Sequence, residues 1–129
     1  MVADSDRIQR HLEDELGECR IEDVETRLSE LAALQSTAQG DRIESHIAVL
    51  STLGNETRYR LARVLVDADG ELCVCELDAV VDVSESAISH ALSDLREAGL
   101  VTRHKDGRWR KYEATPVATA IIDALRTGR

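Results

Sequence analysis

An apolar helical pattern that breaks at "VDVS" and resumes over Glu85–Ala98, a basic strand pair around Asp106-Gly107, and a closing helix after Pro116 predict a mainly α domain with one small β-hairpin. In that order the elements make a winged helix-turn-helix, and the residues before it predict an N-terminal helical extension. The chain divides accordingly into an acidic helical arm, residues 1–40, and a winged helix-turn-helix domain, residues 41–129.

In the arm, Ile8, Leu12 and Leu16 recur at helical spacing and Gly17 closes the helix. Ile21, Val24, Leu28, Leu31 and Leu34 form the stripe of a second helix suited to packing on a partner. The polar stretch "QSTAQGDR", residues 35–42, has no apolar period and reads as a linker. A third helix starts at Asp41, carries Ile43, Ile47 and Leu50, and ends at Gly54. Asn55 is suited to cap a fourth, in which Tyr59, Leu61, Ala62, Leu65 and Val66 are the apolar residues. Asp69-Gly70 breaks the chain before "ELCVCEL", which leads into a short helix through Val80. The next helix turns Ile88, Ala91, Leu92 and Leu95 inward, with Gly99 in the left-handed position that ends it. Strands then flank Asp106-Gly107. The last helix carries Val117, Ala120, Ile121, Ala124 and Leu125.

The chain has 129 residues, 43% hydrophobic and 32% charged, enough for one core without staples. No apolar run approaches a membrane span and no secretory leader is apparent, so a cytoplasmic protein with no membrane partner is expected. Sixteen cations face 25 carboxylates, for a net charge of −9, which alone opposes nucleic-acid binding. Only Lys105 and Lys111 are lysines and Phe is absent, a composition like that of proteins adapted to concentrated salt. At about 1 M salt the Debye length is ~3 Å, and local charge decides binding. That charge is uneven: residues 1–47 hold five Arg against twelve acids, whereas residues 101–112 hold five cations against Asp106.

The second helix of the helix-turn-helix presents Ser84, Ser86, Ser89 and His90 outward. Small hydroxyls let a helix sit deep in a major groove and reach phosphates or base edges, while Ser84 also suits an N-cap. In the hairpin, Arg103, Lys105, Arg108 and Arg110 suit phosphates or a narrow minor groove. Alternation puts Trp109 and Lys111 on one face and Arg108 and Arg110 on the other, with Tyr112 at the base and Trp109 bracing the wing. His104 reads as a solvated strand residue. Double-stranded operator DNA is the expected partner.

Three cysteines without a leader are free thiols or metal ligands rather than a disulfide framework. Thiolates select soft, thiophilic ions. Cys73 and Cys75 are two apart, so on a regular helix they diverge by about 200°. Both reach one ion only if that first turn is distorted or non-helical, which would couple binding to the helix pair behind it.

The segments "LSTLGNETRYRLARVL", "ELCVCEL", "VSESAISHALSDLREAGLV" and "RHKDGRWRKY", in that order, resemble the ArsR/SmtB family of metal-responsive winged-helix repressors over about residues 43–125. The resemblance implies a homodimer on operator DNA, joined through helices 43–53 and 117–125 and released by metal. It implies Cys73 and Cys75 as ligands for arsenite or antimonite, with cadmium or lead as further ions. Where the arsenic-responsive motif has a third cysteine, this chain has Asp78, which leaves Cys19 in the arm as the remaining thiol. The zinc cluster that relatives carry on the last helix looks absent, since that helix has Asp123 and no His. Two other readings stay open: an oxidation sensor using the same thiols, and a protein-interaction adaptor working through the acidic arm. Paired carboxylates, a phosphate loop and a nucleophile with its base are all missing, so an enzyme is not expected.

Overall fold

The computed structural model describes residues 2–17 and 20–128. They form two compact units, dividing between Ile43 and Glu44. The first unit holds helices α1 (Val2–Leu16) and α2 (Ile21–Ala38). Ile8, Leu12, Val24, Leu28 and Leu31 are half-buried in it, and α2 buries no residue fully. Helix α2 runs on to Ala38, so the segment expected as a linker from residue 35 is helical over its first half.

The second unit runs α3 (Ile43–Leu53), α4 (Glu56–Asp67), β1 (Leu72–Cys73), α5 (Val74–Val80), α6 (Glu85–Glu97), β2 (Val101–Asp106), β3 (Trp109–Ala114) and α7 (Pro116–Thr127). Among the described residues of both units, seven helices and one three-stranded antiparallel sheet bear out the mainly α, winged helix-turn-helix reading. Its core joins Leu61 and Leu65 of α4, Leu77 of α5, Ile88, Leu92 and Leu95 of α6, Leu100, and Ile122 of α7. Burying such a side chain is worth about 1.5–3 kcal/mol, so this cluster holds the helix pair in place.

The caps follow the chemistry expected of them. Asn55 accepts the Arg58 N–H at 3.0 Å and Ser84 accepts the Ala87 N–H at 3.1 Å. At the end of α6, Gly99 takes φ +77°, with the Leu100 N–H donating to Leu95 and the Gly99 N–H to Arg96. That pattern is a Schellman cap, which needs the left-handed residue glycine supplies. Thr115 ties the base of the wing to the same corner by donating to the Gly99 carbonyl at 2.8 Å.

Three details go beyond the sequence reading. The sheet has a third strand, β1, paired to β3 as Leu72↔Tyr112 and Cys73↔Lys111. Asp106 pairs with Trp109, so the turn residues are Gly107-Arg108. Only Gly107 of the two has positive φ, the requirement of a type II′ turn. Helix α7 anchors itself through Ala118 and Ile122, while the predicted stripe leaves Val117 and Leu125 exposed.

Candidate functional site

Helix α6 is held by its buried stripe Ile88, Ala91, Leu92 and Leu95. Its opposite face carries Ser86, Ser89 and His90, all exposed, with Ser84 at the N-cap. The Ser84 hydroxyl oxygen is engaged by the cap, which leaves its hydrogen free for a phosphate oxygen. Ser93 extends the stripe one turn beyond Ser89 and is also exposed; its i+4 spacing is the signal that could have found it.

Strand pairing sorts the wing residues. Residues paired directly across a ladder share a face, and successive residues alternate. The register Arg103↔Tyr112 and Lys105↔Arg110 therefore collects Arg103, Lys105 and Arg110 on the face whose root is the buried Tyr112. His104, Asp106, Trp109 and Lys111 lie on the reverse face. Arg108 follows neither face: it occupies the turn, and its guanidinium lies 5.3 Å from the Trp109 ring centroid. Trp109 itself is 49% exposed, so it supports the wing tip and fills no core position.

The thiols stand where β1 becomes α5. Cys73 is the last residue of β1 and the N-cap of α5, with extended φ −86° and ψ 167°. Cys75 lies one residue inside the helix. The backbone is therefore extended at Cys73 and helical from Val74 onward, so the two thiols sit on either side of a strand-to-helix junction and not on one regular helix. Cys73 is buried and Cys75 exposed, and both are free. The neighbouring Cys73 thiol pushes the Cys75 thiol above its ordinary pKa. Glu76 accepts the Cys73 N–H at 3.0 Å; that bond and a second from the Cys73 thiol hold its carboxyl below the usual range, with Lys111 adding to the effect.

This donor set fits a thiophilic ion in two positions. Among the described residues no group of three His, Cys, Asp or Glu converges as a metal site, and Cys19 lies outside the described residues. Sequence reasoning missed the surroundings of the pair. The Glu71 carboxylate lies against Nδ1 of His104 in β2, and Lys111 pairs with Asp106 at 3.1 Å, raising the Lys111 pKa. No helix among the described residues is long and apolar enough to cross a membrane.

A winged helix-turn-helix with a small polar recognition face and a cationic wing defines the class, a DNA-binding regulator. Residues 55–103 match the model of the arsR family of bacterial regulatory proteins. A protein of Halobacterium salinarum, provisionally named an arsenical resistance operon repressor, is 52% identical over 128 residues and covers 99% of each chain. The arsenical resistance operon repressor of Escherichia coli is 40% identical over 81 residues, 60% of this chain and 68% of its own. A crystal structure of a possible transcriptional regulator for arsenical resistance superposes with a TM-score of 0.51 at 44% identity, covering 60% of this chain and 79% of that one. The chain belongs to the ArsR family, and it is a transcriptional regulator and not an enzyme.

Proposed function

We propose that the protein is a homodimeric repressor that leaves its operator when a trivalent arsenic or antimony species binds Cys73 and Cys75. The observation that carries this reading is the placement of Cys73 at an extended N-cap beside Cys75. Trihydroxyarsenic condenses with neutral thiols, one water leaving for each As–S bond formed. The upward shift of Cys75 keeps it a thiol at neutral pH, which suits that condensation and disfavours attack on peroxide. Cys19 is the remaining thiol of the chain and the candidate for a third sulfur. The halves expected to meet in the dimer are α3 and α7, where Ile47 is 58% exposed, Leu50 62%, Val117 53% and Leu125 59%. Exposed apolar side chains on these two helices are what a second copy would cover.

In this reading Ser84, Ser86, Ser89 and His90 enter the major groove while Arg103, Lys105, Arg108 and Arg110 engage phosphates. The test is anisotropy of the protein's own promoter fragment in concentrated potassium chloride, titrated with arsenite, antimonite, cadmium and zinc. Release by the first two, abolished in Cys73→Ser and in Cys75→Ser with DNA affinity kept, is the expected result. Normal induction in both variants overturns the thiol site. Cys19→Ser weakens the response if the arm supplies a ligand; an unchanged dose curve removes Cys19 from the set.

A further inference from the structure

The two-residue strand β1 joins the thiol site to the wing, and several interactions converge on it. Cys73 pairs with Lys111 of β3. Lys111 is in turn opposite His104 of β2, and the Nδ1 of His104 lies against the carboxylate of Glu71, the residue just before β1. On the same wing face Lys111 pairs with Asp106, the last residue of β2 before the turn. One face of the wing is thus wired to the thiols, and the other carries Arg103, Lys105 and Arg110.

We infer that the thiol site signals to the wing through β1, with His104 and Lys111 as positioning residues, so that inducer binding withdraws the cationic face from DNA phosphates. This rests on the reading of Cys73 and Cys75 as the inducer ligands. The physical argument compares stiffness. Strands β2 and β3 pair over six residues each and move as one ribbon, whereas β1 is held by two pairs and by the cap of α5. Bringing two sulfurs onto one arsenic rotates Cys73 about the backbone that also pairs with Lys111. The short strand yields first, and the Glu71–His104 pair carries its displacement to the outer strand. Helix α5 is pulled from the same residue, so wing and recognition helix share one trigger.

The salt dependence of operator binding separates the two routes. Each cation that leaves its phosphate lowers the slope of log affinity against log salt by about 0.9. Arsenite-loaded wild type therefore gives a shallower slope than free protein, by about 2 or more for two wings. His104→Gln and Glu71→Gln bind arsenite with unchanged stoichiometry, read from As–S absorbance, and bind operator as wild type does. Their release by arsenite falls about fivefold or more, the lower range of ordinary allosteric coupling. The chain has one tryptophan, so emission reports the wing tip alone; arsenite shifts it in wild type and not in either variant. Parallel salt lines with undiminished release in both variants overturn the wing route and leave the inducer reading standing. Failure of arsenite to bind wild type overturns both.

Discussion

Replacing Arg103 and Arg110 with alanine removes two of the three cations on the wing's open face without touching Tyr112, the residue that roots it. If each guanidinium meets one phosphate, four phosphates per dimer go unneutralised. The slope of log affinity against log salt then falls by about 3.6. Extrapolated to 1 M salt, where the electrostatic contribution vanishes, variant and wild type converge. At 0.2 M the same slope difference amounts to roughly 300-fold in affinity, or ~3.4 kcal/mol. Anisotropy of a labelled promoter fragment across potassium chloride concentrations measures both quantities. The loss should be the same on promoter and on unrelated DNA, because phosphate contacts carry no sequence. Arg10→Ala with Arg27→Ala, in the arm, changes net charge equally and serves as the control. Unchanged slope in the wing variant, or an equal drop in the control, refutes the assignment of this face to DNA.

Leu92 is fully buried in α6, and Leu92→Ala should cost about 2–5 kcal/mol in urea unfolding; an unchanged midpoint would contradict its place in the core. Arg58 donates from Nε to the Thr52 carbonyl at 2.7 Å and reaches Asp94 of α6 at 3.5 Å, so one guanidinium closes the end of α3 and touches the recognition helix. Arg58→Lys cannot reproduce that fork, and α3 amides should exchange faster in it; equal protection would show α3 is held by its apolar contacts alone. Asp67 accepts two bonds from Arg126, at 2.7 and 2.8 Å, which hold its carboxyl below the usual range. In that window the unfolded chain binds more protons, so stability rises with pH, is complete above the ordinary carboxylate range and is lost as pH falls through the lowered one. Acid-unfolding curves of Asp67→Asn and wild type should accordingly converge at low pH, and a constant offset between them would exclude the pair as the cause.

What could be read in advance was whatever has a period or a specific cap. The inward stripe of α6, the glycine that ends it and the alternation of the hairpin each repeat over enough residues to stand above composition. Strand β1 did not, because two residues have no period; its existence depends on Tyr112 and Lys111, far along the chain, presenting a free edge. The pairing of His104 with Glu71 was hidden for the same reason, since it appears only once the third strand sets the register. Helix α7 was half legible. Val117 and Leu125 were visible as apolar, yet Ala118 and Ile122 are the pair that meets the core, and a helix apolar on two sides does not say which side has its partner within the chain. The thiol pair was visible as chemistry, and its spacing allows one shared ion only where the helix is broken; that Cys73 stands at an extended N-cap could not be read, because it needed β1 to end there.

The charge of this chain poses a problem for DNA binding that its distribution resolves. Residues 1–47 hold twelve of the 25 acids against five Arg, whereas the wing is locally positive, so charge of each sign is segregated along the chain. Their ranges are set by the solvent. At about 0.15 M the screening length is ~8 Å, and an acidic arm can oppose approach from well outside contact; at about 1 M it is ~3 Å and only touching charges count. Under that condition a cation a few ångströms from its phosphate is screened from it, so a short displacement is enough to end the contact. A regulator working in such salt does not need a large conformational change to let go. In the reading proposed above it needs a ribbon whose root can be shifted by a short distance, and a hairpin of two six-residue strands, edged by a two-residue strand that ends at Cys73, meets that requirement.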